Sequence, residues 1–249
     1  MLLVGGSGHV GSLITPYLRR HHELRVLDLQ PPRHADIAYV AGTASDPAVV
    51  REALDGMDAF IYLVMRRGQG GTSSAQDIPT IAENYAANTA GLHLLLFLAQ
   101  EMGVPRGVYT STMSVHHRTR TWYPAEEAVP LDSPSVYGLT KGLGELICEY
   151  FAQWFAMNIV ALRITGPRDR AHWLDERRAP TTADEHRLYV TDEEDLARAY
   201  LAALEAIQIG HGRFDAIYIA GDEGKEEHNL SKAKRVLGWQ PETHRSARP

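Results

Sequence analysis

The sequence predicts an α/β fold built on a doubly wound parallel sheet, and three observations predict it. Short apolar runs alternate with longer amphipathic ones through the first sixty residues, as strands buried on both faces alternate with crossover helices. A glycine cluster between Gly5 and Gly11 joins the first run to the first helix. The 249 residues are 44% hydrophobic, enough apolar material for one large or two small cores.

In order, residues 1–4 read as the first strand, 11–20 as a helix, and 24–28 and 37–40 as the second and third strands. Ser45-Asp46-Pro47 supplies an N-cap with proline at the first helical position, Gly56 closes that helix, and 59–64 is apolar enough for a central strand. Residues 66–76 hold three glycines and no apolar run, so they leave that strand's carboxyl end as a loop, at the edge where such sheets bind ligands. A long helix is expected over 78–102, a strand over 107–110, a helix started by Ser133-Pro134 and ending near Ala156, and a strand over 159–164. Residues 165–186 are rich in Arg, Asp and Pro. Thr191 with Glu194 forms a capping box for a helix ending near Ala206, followed by a late strand over 214–220 and a short helix over Ser231–Leu237.

Composition excludes several functions. Lys+Arg 25 against Asp+Glu 31 gives a net charge of −6 without a basic patch, which argues against nucleic acid as a partner. The longest apolar stretch, 92–99 with His93 inside it, is less than half of the roughly 20 residues a bilayer span requires. The single cysteine, Cys148, allows no internal disulfide, and the chain opens on a strand-like run with no signal-peptide pattern, so a soluble protein in the reducing cytoplasm is expected. The twelve histidines include the adjacent pairs His21-His22 and His116-His117 but no i, i+4 His pairing, so no metal site is expected.

Gly5-Gly6-Ser7-Gly8-His9-Val10-Gly11 allows a tight turn and close approach of a diphosphate to the helix N-terminus. Asp28 ends the second strand 17 residues beyond Gly11, where a carboxylate accepts both ribose hydroxyls and repels a 2′-phosphate. Leu29 and Gln30 supply no cation, so NAD is expected over NADP, with Arg33 the nearest cation in sequence. Tyr137 and Lys141 are four residues apart and share a helix face. A free phenol titrates near 10, and a neighbouring ammonium favours the phenolate that could serve as a base. Thr112, with Ser111 beside it, sits past the fifth strand and offers a hydroxyl to hold a substrate oxygen.

Together the glycine loop, Asp28, Asn88 in Asn88-Thr89-Ala90-Gly91, Thr112, and Tyr137 with Lys141 resemble the short-chain dehydrogenase/reductase superfamily, and more closely its extended, NAD-dependent epimerase/dehydratase branch. The Asp195-Leu196-Ala197-Arg198-Ala199 segment and the run from Ser231 to Pro241 carry the resemblance nearly to the end of the chain. It implies a Rossmann domain over 1–164 and a reduced substrate cap with returning core elements over 165–249. Tyr137 becomes the general acid/base, Lys141 the holder of the nicotinamide ribose, Thr112 (with Ser111 as substitute) the orienting hydroxyl, and Asn88 a brace for the long helix. Gly5, Ser7, Gly8, His9, Val10, Gly11, Asp28, Leu29, Thr43, Ala44, Leu63, Val64 and Ile164 become the cofactor's other contacts. A homodimer through the 78–102 and 134–156 helices is also implied.

Departures from that pattern refine the expectation. Thr43-Ala44 stands where many relatives hold the adenine amine with an acid, and bulky Leu63-Val64-Met65 leads to Arg66 and Arg67, which face either solvent or an anionic substrate. Met113-Ser114 replaces the Asp-Glu that sugar dehydratases use, which argues against elimination. Only 92 residues follow Met157, too few for a lobe enclosing a nucleotide sugar. Compactness and the run from Leu162 to Arg170 are similar to the uronate dehydrogenase group, which makes Arg168, Arg170 and Arg187 candidates to clamp a carboxylate, with Met113 replacing that group's asparagine. His116, His117, His172 and Trp173 fall near the expected substrate mouth, whereas Cys148 reads as packing. The expected activity is hydride exchange between NAD and a small sugar-like or acidic alcohol. A cofactor-retaining epimerase and a non-catalytic NAD sensor are the alternatives.

Overall fold

A computed structural model describes residues 1–65, 76–178, 189–210 and 213–242. Its elements are β1 (Leu2–Val4), α1 (His9–Leu18), β2 (Arg25–Asp28), β3 (Ala38–Ala41), α2 (Pro47–Leu54), β4 (Phe60–Tyr62), α3 (Ile78–Tyr85) and α4 (Gly91–Glu101). They continue with β5 (Arg106–Thr112), α5 (Val136–Phe155), β6 (Asn158–Ile164), β7 (Pro167–Arg168), α6 (Arg170–Arg178), β8 (Thr191–Asp192), α7 (Glu193–Ile209), β9 (Phe214–Ile219) and α8 (Ser231–Leu237). Seven strands form one parallel sheet in the order β3-β2-β1-β4-β5-β6-β9. The order reverses between β1 and β4, which opens a crevice at the carboxyl ends of those strands.

Strand side chains point alternately to two cores. Leu3, Ile61, Val108, Val160 and Leu162 pack with Ile14 and Leu18 of α1 and Leu196, Tyr200 and Leu204 of α7. Leu2, Phe60, Tyr62, Tyr109 and Ile159 pack with Leu54 of α2, Leu95 of α4 and Cys148 and Phe151 of α5. Burial on both faces explains why these strands read as unbroken apolar runs.

Four local expectations are corrected. The 78–102 helix is continuous but passes through a π turn at Ala86–Ala90, where Tyr62 Oη donates to the Ala87 carbonyl at 2.5 Å. Strand β5 runs two residues further than expected and carries Ser111 and Thr112 at its carboxyl end. Helix α5 is capped by Ser135, whose Oγ accepts from Gly138 N, rather than by Ser133. Helix α7 is capped by Asp192 and not Thr191, because Thr191 lies in β8 beside β7 with its hydroxyl paired to Thr165.

The segment after β6 is shared between roof and core. Its α7 and β9 complete the sheet and one hydrophobic layer, while β7, β8 and α6 stand over the sheet's end. Trp239 Nε1 donates to Asp195 O and Glu242 N to the Asp195 carboxylate, docking the 231–242 segment on α7. No helix among the described residues is long and apolar enough to cross a membrane.

Candidate active site

A single cleft of about 1510 Å³ follows the carboxyl edge of the sheet from Asp28 and Thr43, past Thr112, Tyr137 and Lys141, to Tyr123 and His228. At its first end Gly5 has φ +82°, and a Cβ there would lie 2.8 Å from Val64 N. A Cβ on Gly11 would come within 2.1 Å of Gly6 O, so only glycine lets α1 sit this close to the turn. Helix α1 has no side-chain cap and no acid in its first turn, and its Gly8, His9 and Val10 line the cleft. This uncapped N-terminus suits an anion. Asp28 also lines the cleft, its carboxylate accepting from Ser7 N at 3.0 Å and Gln30 N at 3.2 Å. Leu29, Thr43, Ala44, Leu63, Val64 and Ile164 complete this wall. Ser7 and Gly11 stand behind it. These residues fit a dinucleotide: a side-chain-free cradle for diphosphate and an oriented carboxylate for ribose.

At the middle, Tyr137 and Lys141 lie one turn apart on α5 and both line the cleft. Lys141 is 1% exposed, with Nζ 4.3 Å from the centroid of the Tyr109 ring. Burial pushes its ammonium down to about 7, against the opposing pull of Cys148 and Glu145. Thr112 Oγ1 accepts from Ser114 N at 3.1 Å, which leaves the hydroxyl's own proton for a group in the cleft. Ser111 is committed elsewhere: its Oγ donates to Glu145 Oε1 at 2.5 Å. Asn88 is fully buried outside the cleft wall and joins two helices, its Nδ2 donating to Asn84 Oδ1 and to Thr140 Oγ1. Thr140 in turn bonds the carbonyls of Val136 and Tyr137, so Asn88 braces α5 against the π turn.

Below this centre lies a charged network invisible to motif reading. Arg163 of β6 forks onto Glu145 of α5 through Nε at 2.9 Å and Nη2 at 2.7 Å, and its Nη1 reaches His116 Nε2 at 3.2 Å and Glu126 O at 3.3 Å. Burial works against the guanidinium's charge, and the Glu145 carboxylate restores it. The sequence signal was an arginine inside a strand buried on both faces, which demands a buried carboxylate.

The substrate end departs from expectation. Arg168 lines the cleft, but its Nε is paired with Glu176 at 2.5 Å, and Arg170 turns to Asp192 and Glu194. Arg66, Arg67 and Arg187 lie outside the described residues. His116 and Trp173 are buried in the interior, and His117 and His172 bond Thr119 and Asp169 at the surface. Instead Arg118, Arg120, Tyr123, Tyr189, Glu227 and His228 form this wall. Arg120 is forked onto Asp132, whereas Arg118 is exposed. Cys148 is fully buried, and its thiol is pushed up by burial. No group of three or more His, Cys, Asp or Glu side chains suited to a metal occurs among the described residues.

The profile of the NAD dependent epimerase/dehydratase family matches residues 1–187. A NAD-dependent glucose-6-phosphate dehydrogenase of Haloferax volcanii is 25% identical, over 97% of this chain and 92% of its own length. The glucuronic acid dehydrogenase of Chromohalobacter salexigens superposes with a TM-score of 0.76 at 25% identity, over 97% of this chain and 84% of that one. A UDP-glucose 4-epimerase of Brucella ovis, in complex with NAD, has a TM-score of 0.78 at 18% identity over 97% and 93% of the two chains, a likeness of fold alone. The chain spans less than two fifths of the length of two further relatives it matches, an uncharacterized protein of Sinorhizobium fredii and a 3 beta-hydroxysteroid dehydrogenase/Delta 5-->4-isomerase of Mycobacterium tuberculosis.

Proposed function

The chain belongs to the NAD-dependent epimerase/dehydratase family, and within it we propose an oxidoreductase that moves a hydride between NAD and a hydroxyl-bearing carbon of a small sugar or sugar acid. The observation that carries this reading is the continuity of one cleft from the glycine cradle and Asp28 to Thr112, Tyr137 and Lys141. The names of the sugar and sugar-acid dehydrogenases it is similar to support the substrate class.

Bound along this cleft, NAD supplies the hydride acceptor or donor. Asp28 would hold the ribose hydroxyls and the α1 N-terminus the diphosphate. Thr112 donates its free proton to the substrate oxygen and so sets its position. Tyr137 removes the substrate's hydroxyl proton at its phenolic oxygen during oxidation and returns it during reduction. Lys141, held one turn along α5, stabilises the phenolate and holds the nicotinamide ribose. Residues 1–164 carry the cofactor in this reading, and 165–249 supply the reduced substrate cap.

A homodimer through the long helices accompanies the proposal. Among the described residues Ile81, Tyr85 and Phe97, with Leu139, Leu146 and Tyr150 at i, i+7, i+11 on α5, leave an exposed apolar face. Leu146→Glu with Tyr150→Glu is expected to give a monomer by light scattering where the parent protein is dimeric. The lone buried Cys148 supports a reducing, cytoplasmic setting.

The deciding experiment follows NADH absorbance across aldoses, uronates and sugar phosphates. Turnover of at least one is expected, with a fall of about 10²–10⁴-fold in Tyr137→Phe at unchanged NADH affinity. Tightly held NAD and an altered sugar with no net NADH would replace the proposal with epimerisation.

A further inference from the structure

The far wall of the cleft is built from two segments distant in sequence. Tyr123, after β5, donates its N–H to Glu227 O at 2.6 Å and accepts from Asn229 N at 2.9 Å, so the chain after β5 pairs with the chain after β9. Strand β9 is the edge of the sheet opposite β3, so this wall lies across the molecule from Asp28. His228 lines the cleft here and is 4% exposed.

Its ring is over-determined. His228 Nδ1 lies 3.1 Å from Asp222 Oδ2, and the fully buried Asp222 also takes the backbone N–H groups of Glu226, Glu227 and His228 at 2.8, 2.9 and 2.8 Å. Burial presses this carboxyl upward, but the four hydrogen bonds, that of His228 foremost, hold it below its ordinary range and ionised. In the neutral ring, a carboxylate acceptor at Nδ1 favours the tautomer with its proton on Nδ1 and Nε2 as an acceptor. Tyr123 stacks on the ring at 5.2 Å, and Tyr189 and Tyr218 meet it edge-on at 5.6 and 6.5 Å, so it cannot swing away.

The turn at Asp222 is already held by three backbone donors, so a purely structural role leaves Nε2 without purpose. A bare imidazole nitrogen backed by a carboxylate repels anionic oxygens and has nothing to donate to a carbonyl. It suits a hydroxyl. We propose that His228 is a specificity-determining residue whose Nε2 accepts a hydrogen bond from a substrate hydroxyl remote from the carbon that exchanges hydride. This rests on the oxidoreductase reading above and adds to it that the substrate is a polyol whose second hydroxyl is read at this wall.

Two substitutions separate this role from a structural one. His228→Asn keeps a donor near Nδ1 for Asp222 and removes the Nε2 acceptor, whereas His228→Gln carries an amide oxygen toward the Nε2 position and gives up the Asp222 bond. With NAD and D-glucuronate, D-galacturonate, D-glucose or L-arabinose, His228→Asn is expected to raise KM about ten-fold, with kcat within about two-fold and NADH affinity unchanged. His228→Gln should recover most of that loss. A wild-type KM in His228→Asn with impairment in His228→Gln would overturn the proposal in favour of a structural dyad. Should both variants unfold, the wild-type enzyme decides on its own: removal of one non-reacting hydroxyl from its substrate must raise KM by about ten-fold, and indifference across the single-deoxy series overturns the assignment. If the wild type oxidises none of the sugars tested, the oxidoreductase reading itself fails and takes this inference with it.

Discussion

At the glycine-loop end of the cleft, the site is made of backbone. Gly5 and Gly11 are needed because a Cβ would strike main chain, and Asp28 is aimed by the N–H groups of Ser7 and Gln30, 21 and 2 residues away. The wall of the substrate end is made of segments gathered from afar, Tyr123 pairing with Glu227 and Asn229, and the buried network behind that wall reaches as far. His116 meets Arg163 across 47 residues and Tyr218 across 102, and Glu126 accepts from Tyr218 N across 92. A ligand shared by every member of a fold can be held by local backbone geometry, whereas a wall meant for one substrate is assembled from loops that only the folded sheet brings together.

The comparison breaks most visibly at Arg163. Arg163→Met leaves Glu145 buried without its partner and is expected to cost about 3–5 kcal/mol, or about 6–20 °C in Tm for a chain of this size. A melting temperature within about 2 °C of the parent would mean that the network does not support the substrate end.

Next comes acid. Burial holds His116 down to about 4 against an ordinary value near 6.5. The unfolded chain takes up this proton below about 6.5 and the folded one resists until about 4, so stability from the neutral ring is complete above that window and lost as pH falls through it. About 2 kcal/mol should be gone by pH 5. Hydrogen exchange at pH 5 should then open the 116–128 and 222–229 segments before the glycine loop, and His116→Gln should flatten the pH dependence.

The smallest expected effect sharpens the other end. Asp28→Ser removes a ribose acceptor and a repulsive charge without disturbing the main chain. NAD affinity should fall about ten-fold while NADP affinity holds or rises, as titration of cofactor fluorescence would record. Equal losses for both cofactors would move the ribose away from Asp28.

Much of the sheet was legible because two-face burial writes each strand as an apolar run and caps such as Asp46-Pro47 mark helix starts. The glycine-loop wall was legible for a related reason: its tight turn and close approach fall on residues near one another with fixed spacing. Thr112, Tyr137 and Lys141, which line the same cleft, were singled out by their order and spacing. Ser111 could not be assigned, because its partner Glu145 stands 34 residues on, and Arg168 and Arg170 looked available only while Glu176, Asp192 and Glu194 were unplaced. The Asp222–His228 dyad carries no periodicity and had no signal at all.

Residue order by itself determined where main chain must turn tightly, which runs are buried on both sides, and which helix presents phenol and ammonium on one face, since each depends on neighbours within a few positions. Only the tertiary structure decided which arginines are already neutralised, which hydroxyl keeps a spare proton and which histidine lines the substrate end of the cleft. Those outcomes depend on partners that become near only when the sheet closes, and an ionic or hydrogen-bonding group takes its character from the partner it meets.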